Sequence, residues 1–329
     1  MRTLYVSQQG CVLMLQHEQV VIRQGQAVLD AVQLPLLEQI LIFGKSQVTT
    51  QVIRACLQRH IPIAYLSRMG YCYGRVLPIE RGYRSLARYQ QELQAVDRLL
   101  VARRLVQAKL RNSRVILQRQ QRRRPSDITT TAIQQLDVWA EQAGHADTIE
   151  RLMGIEGTGA VSYFNAFGEC LTGHGFVFLG RSRRPPGNPV NAMLSFGYQV
   201  LWNHLLSLIE LQGLDPYHAC LHQGSERHAA LASDLVEEFR APIVDSLVLY
   251  LVNRGIMHAE NDFEHRDGGC YLNNAGRKKF LRAFVQRMEE QLTIDHHEQP
   301  RWDLLTQQVK AYKQFVYNPS TGYHPYQIR

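Results

Sequence analysis

Residues 98–124 read RLLVARRLVQAKLRNSRVILQRQQRRR, a run of ten arginines and lysines without one acidic side chain. Inside it Leu99, Leu100, Leu105, Val106, Leu110, Val115, Ile116 and Leu117 recur near helical spacing. Pro125 ends the pattern, and Ser126 or Asp127 is available to cap the next helix. A helix face that is only solvated usually mixes signs, so that charges pair at i,i+4; a single sign suits a polyanion. The run predicts a long amphipathic helix on which Lys109, Arg111, Arg114, Arg122, Arg123 and Arg124 meet phosphates. Arg183 and Arg184, in the later loop RSRRPPGNP (181–189), join that set.

Upstream of this helix the chain reads as β-rich. Short apolar runs at Leu4–Val6, Cys11–Leu15, Val20–Ile22, Ala27–Val32 and Gln39–Phe43 alternate with polar or glycine-bearing breaks. A helical stretch over Gln51–Gln58 follows, then a strand over Ile61–Leu66 and a hairpin-like Gly70–Gly74. From Arg84 onward the period is helical, with helices expected at Ala192–Gln212, Ala229–Asn253 and Gly276–Leu292. Asp262–Leu272 reads as a loop with a short strand, and Tyr317 onward as a polar tail. The expected fold class is α+β: a small β domain over 1–82 and a larger helical domain over 83–329.

Charge divides the chain in the same way. Residues 1–124 hold 20 basic against 6 acidic side chains, whereas 125–329 hold 17 against 23, within a total of +8. At 329 residues, two domains are the natural expectation. Six cysteines at 11, 56, 72, 170, 220 and 270 form no CxxC pair, which argues against a thiolate zinc site or disulfide framework and fits a reducing cytoplasm. Cys11–Leu15 is too short for a signal segment, and Ser246–Val252 too short to cross a bilayer, so no membrane association is expected. Gly44-Lys45-Ser46 lacks the first glycine of a phosphate loop, Gly173-His-Gly175 lacks the third glycine of a dinucleotide turn, and neither HExxH nor GxSxG occurs.

Candidate chemistry gathers in GLDPYHACLHQG (213–224) and LASDLVEEFR (231–240). Asp234 and Glu237, three apart on a helix, share a face, while Leu231, Leu235 and Phe239 anchor another. His222 lies twelve residues upstream, within reach of a returning loop. Two carboxylates and one imidazole make an oxygen-rich site for Mg²⁺ or Mn²⁺, the nitrogen leaning toward Mn²⁺. The simpler alternative pairs Glu237 and Glu238 with Arg240 or solvent. Glu156, in the apolar RLMGIEGTGAVSYF (151–164), is a third donor; small residues at 154, 157, 159 and 160 would admit a neighbouring helix. A buried glutamate needs a metal or a cationic partner, and an arginine would serve equally. A rival cluster, His258, Glu260, Asp262, Glu264, His265 and Asp267, reads better as a solvated hairpin arm, and His296-His297 as surface residues.

These blocks resemble a known family, the CRISPR-associated endonuclease and integrase of spacer acquisition, the first-numbered Cas protein. The resemblance spans nearly the whole chain and is carried by GIEG (154–157), RRPPGNPVNAMLSFGY (183–198), GLDPYHACLH (213–222) and ALASDLVEEFRAPIVDSLV (230–248). It implies a β-sandwich-like N-terminal domain that dimerises and an all-α catalytic domain. It also implies a homodimer and a small ferredoxin-like second-numbered Cas protein bridging two dimers. Double-stranded and branched DNA would be the substrate, and the setting a prokaryotic cytoplasm, at the nucleoid when acting. The implied metal ligands fall on Glu156, His222 and Glu237, with Asp234 as an assisting acid. Val161 stands where the family often has arginine. The implied reaction is attack of a fragment 3′-hydroxyl on a phosphodiester at the CRISPR repeat. Two other readings remain open on the sequence: a DNA-binding scaffold without turnover, and a metal nuclease acting mainly on RNA or branched DNA.

Overall fold

Short apolar runs separated by polar and glycine-bearing breaks give eight strands in the first 76 residues. The computed structural model describes residues 3–68, 70–79, 83–225, 228–294 and 297–328; for Tyr83, Arg84, Ile294 and His297 it describes the backbone alone. The expectation for His296-His297 therefore lies outside the described residues. Strands β1 (Thr3–Val6), β5 (Gln39–Phe43), β7 (Ile63–Leu66) and β8 (Cys72–Val76) form one sheet in that order, parallel except for β7 with β8. A second sheet runs β4 (Ala27–Gln33), β3 (Gln19–Gln24), β2 (Val12–Gln16), β6 (Gln47–Val48). Both sheets, with helix α1 (Thr50–Gln58), contribute to one apolar core that includes Val6, Leu13, Val20, Ile40, Ile42, Val52 and Ile63.

The β2–β3 turn is made by His17 and Glu18, both at positive φ (44° and 61°), so a tight hairpin forms without the usual Asn-Gly or Asp-Gly.

The chain divides into two compact units, and the division differs from a cut at residue 82. Residues 1–81 are joined by 273–303, while 82–272 and 304–329 form the other unit. Helix α9 (Asn274–Glu289) thus belongs with the strands rather than with the helices. Its Phe284 is fully buried, edge-on to Tyr5 of β1 and to Trp302, which ties this late segment to the first strand. Strands β11 (Gln291–Ile294) and β12 (His297–Pro300) pair next to it, ending the helix earlier than Leu292.

The second unit consists mostly of helices: α2 (Tyr83–Glu92), α3 (Ala95–Gln121), α4 (Asp127–Gly144), α5 (Ile149–Glu169), α6 (Pro189–Leu211), α7 (Ala230–Phe239), α8 (Ser246–Asn253) and most of α10 (Arg301–Tyr317). It is not all-α, because β9 (Phe263–Arg266) and β10 (Gly269–Leu272) form a hairpin closed by Asp267-Gly268, both at positive φ. Local chemistry sets the helix starts. Thr148 caps α5 by accepting from the N–H of Arg151 at 3.2 Å, and Asn188 caps α6 by accepting from that of Asn191 at 2.9 Å, with Pro189 in the first turn. The expected helix 229–253 is interrupted by a π-helical segment, Arg240–Asp245, containing Pro242, whose missing N–H disfavours the regular ladder. Among the described residues no helix is long and apolar enough to cross a membrane.

Candidate active site

The loop before α7 is wrapped around one carboxylate. Asp234, fully buried, accepts from the backbone N–H groups of Cys220 (2.7 Å), Leu221 (2.9 Å) and His222 (2.9 Å). The same group lies 2.8 Å from Nδ1 of His222. An ionised carboxylate only accepts, so Nδ1 carries the proton and the lone pair of the imidazole is on Nε2. Burial lowers the pKa of His222, but the Asp234 hydrogen bond and the charge of Glu237 outweigh it, and the net direction is upward. Leu231, Leu235 and Phe239 are fully buried and fix α7 in the core, as the heptad-like spacing predicts.

Glu237 projects from the same helix into a cluster of opposite charge. Its Oε1 is 3.0 Å from Nη2 of Arg240, and its Oε2 is 2.6 Å from Nζ of Lys109 on α3. The ammonium of Lys109 is thus the group that faces Oε2. Burial would raise the pKa of this carboxyl, but Arg240, Lys109 and His222 override it and hold the group at about 2. Glu156 of α5 also pairs with the Lys109 ammonium. Where α5 passes α3, a Cβ at Gly159 would run into the Leu110 side chain. Gly154 and Gly157 face open space, so only part of the small-residue stripe serves helix contact. Val161 is exposed.

The four acidic and imidazole residues singled out in the sequence, Glu156, His222, Asp234 and Glu237, thus converge on one region. They do so with a division of labour: Asp234 is spent on the loop and on His222, while Glu156 and Glu237 face cations. Among the described residues no three histidine, cysteine or carboxylate side chains close on a common ligation point as they stand. The donor chemistry nevertheless fits a hard divalent cation: two carboxylates and one imidazole, with Glu237 Oε2 a buried anionic oxygen that faces a cationic group.

A second layer was missed in the sequence reading. Arg240 and Arg181 lie over the ring of Tyr198, at 4.9 and 5.5 Å from its centroid. Asp245, at the end of the π segment, accepts from the hydroxyls of Tyr198 and of Tyr163 (2.9 Å). Burial raises the Asp245 pKa, opposed by the two tyrosine hydroxyls and both arginines. An aspartate inside the apolar run IVDSLV carries the same warning as Glu156 and could have been singled out for it.

The next residue of α7, Glu238, is fully buried and accepts from the hydroxyl of Tyr323 and the N–H of Tyr326. Burial raises its carboxyl to about 8 despite both bonds. The expected polar tail is therefore docked: Tyr323 is fully buried, Tyr326 stacks on Phe239 at 5.8 Å, and Asn112 of α3 donates to Tyr326 O at 2.9 Å.

The basic set separates. Lys109 is not a surface contact: its side chain is 11% exposed because α3 turns that position toward α5 and α7. Arg114 is occupied by Asp137. Arg111, Arg122, Arg123, Arg124, Arg183 and Arg184 are exposed. In the rival cluster, Asp262 accepts from the His258 N–H at 2.8 Å and Glu264 is 3.8 Å from Arg266, which accounts for these acids without a ligand.

The chain thus comprises a strand-rich unit and a helical unit that bears a carboxylate–imidazole cluster. The family model for CRISPR associated protein Cas1 matches residues 4–286, and the chain belongs to that family. It is 32% identical over 288 residues to a CRISPR-associated endonuclease Cas1 of Thermus thermophilus, covering 88% of this chain and 87% of that protein. It is 35% identical over 300 residues to a Cas4 exonuclease/Cas1 endonuclease fusion of Geobacter sulfurreducens, covering 88% of this chain but 52% of the fusion, so the chain spans about half of that relative's length. The solved structure of a Cas1 protein from Thermotoga maritima superposes with a TM-score of 0.81 at 25% identity, covering 97% of both chains.

Proposed function

We propose that this chain is a divalent-metal-dependent DNA endonuclease and integrase of CRISPR adaptation. In this reading it inserts short DNA fragments as spacers by attack of a fragment 3′-hydroxyl on a phosphodiester at the repeat. The observation that carries the reading is the pairing of a carboxylate-tied imidazole, His222 on Asp234, with two carboxylates, Glu156 and Glu237, that converge on one cation. Glu156, His222 and Glu237 would hold Mg²⁺ or Mn²⁺, which supplies Lewis acidity toward the phosphodiester.

The chain's own residues do the rest. Asp234 fixes the tautomer and direction of His222. Arg240 and Lys109 keep Glu237 ionised, so that it is an oxygen donor at neutral pH. The exposed arginines 111, 122–124, 183 and 184 bind the phosphate backbone, positioning the duplex without reading its sequence. With water as the nucleophile the same residues would nick duplex or branched DNA. We place the protein in a homodimer, bridged to a second dimer by the small second-numbered Cas protein. The names of the Thermus and Geobacter relatives, both endonucleases, support the hydrolytic half of the reading.

Cleavage of a branched duplex in Mn²⁺ and in EDTA, for the wild type and His222→Ala, tests it. Metal-dependent nicking that the variant loses supports the assignment; equal nicking by both overturns it. RNA cut in preference to DNA at one fixed salt concentration would turn the reading toward an RNA nuclease.

A further inference from the structure

Lys109 occupies the place that a bound cation would take. Its ammonium touches Glu156 and lies 2.6 Å from Glu237 Oε2, while Glu237 Oε1 is already engaged by Arg240 at 3.0 Å. The oxygen left for an incoming metal is the one that Lys109 faces. An ammonium and a divalent ion cannot share it, because their mutual repulsion in a poorly screened setting exceeds what one carboxylate returns. Conversely, two carboxylates drawn together beside α3 repel unless something cationic lies between them.

We infer that Lys109 is a built-in counter-cation that exchanges with the divalent metal on Glu156 and Glu237. The inference rests on the metal-dependent reading above. Lys109 holds the two carboxylates in place before the metal arrives and weakens the metal's apparent affinity by competing for the same oxygens. Lys109 is in this sense a positioning residue, and it sets the metal concentration at which the site fills.

The test measures Mn²⁺ binding to the full chain by the electron-paramagnetic signal of free Mn²⁺, for the wild type, Lys109→Met and Glu237→Gln. It is paired with acetic anhydride labelling of Lys109 in the wild type, with and without saturating Mg²⁺. Lys109→Met is expected to bind Mn²⁺ about tenfold more tightly than the wild type, equivalent to ~1.4 kcal/mol. Labelling of Lys109 is expected to rise several-fold when Mg²⁺ is added. Affinity equal to or weaker than wild type in Lys109→Met, with Glu237→Gln still abolishing binding, overturns the exchange and leaves the metal reading intact. Absence of a Glu237-dependent Mn²⁺ site in both wild type and Lys109→Met overturns both. If Lys109→Met does not fold, wild-type labelling decides: an increase supports the exchange and an unchanged level overturns it.

Discussion

The Asp234 carboxylate takes both the backbone N–H of His222, at 2.9 Å, and its Nδ1, at 2.8 Å, so a single buried group fixes the histidine's main chain and its ring. With Cys220 and Leu221 also donating to it, the carboxylate is the centre about which the loop folds. Loss of a partner that orients a ligating histidine typically weakens metal binding by about 10–100-fold. Asp234→Asn is therefore expected to weaken Mn²⁺ binding to that extent while the helical fold survives. Titration followed by circular dichroism and Mn²⁺ release checks it; unchanged affinity would show that His222 needs no such support.

Glu238 gives a pH dependence with a definite sign. Its folded-state value of about 8 lies above the ordinary 4.5, because burial disfavours the anion. Between those two values the folded protein holds a proton that the unfolded chain releases, so this group's contribution is fully present below about pH 4.5 and is lost as pH rises through 8. Glu238→Gln cannot titrate, and Tyr323's hydroxyl can accept from the amide. The stability difference between wild type and variant should therefore move against the wild type from about pH 5 to about pH 9, by an amount of the order of a few kcal/mol. Urea unfolding across that pH range reads it, and parallel curves would sink the assignment.

The docked tail depends on Asn112, whose side chain donates to Glu238 O (2.8 Å) and Tyr326 O (2.9 Å) and accepts from the Ile328 N–H (2.9 Å). Removing it leaves buried backbone groups without partners, at roughly 1–3 kcal/mol for such a group. Asn112→Ala should lower stability by about that much and increase proteolytic cleavage after Tyr317. Stability within ~0.5 kcal/mol of wild type would mean the tail docks without it.

The exposed arginines should act additively and without sequence preference. Removing a side chain that truly meets a phosphate is expected to reduce the slope of log K against log salt by about 0.9. Single alanine variants at Arg111, Arg122, Arg123, Arg124, Arg183 and Arg184 are compared by fluorescence anisotropy over a salt series. Arg114→Ala is the internal control, because Asp137 already holds that guanidinium. A slope unchanged across the six would remove this surface from the DNA path.

What was readable in the sequence follows a physical line. Apolar runs and helical spacing marked most strands and helices, since each side chain reports its own burial; an apolar setting marked Glu156, and the i,i+3 spacing on one helix face marked Asp234 and Glu237. Pairings between distant segments left no such trace. Phe284 packing on Tyr5 moves α9 to the strand-rich unit, and neither residue differs from an ordinary core aromatic. Lys109 sits in a run of like charges, yet helix rotation buries it while Arg111, two positions on, is exposed. The β2–β3 turn lacks glycine because His17 and Glu18 take positive φ under the constraint of the paired strands, and the π segment depends on Pro242 within an unbroken apolar pattern. The tail looked polar because its anchor is a tyrosine hydroxyl on a buried acid.

The central claim is tested most directly by strand transfer of a short duplex with free 3′-hydroxyls into a supercoiled plasmid carrying a CRISPR repeat. The small second-numbered Cas protein is included, in Mn²⁺ or EDTA, with wild type beside Glu237→Ala. Joined product that requires Mn²⁺ and is lost in the variant is the predicted result. Product of equal yield from Glu237→Ala, or in EDTA, would contradict the account.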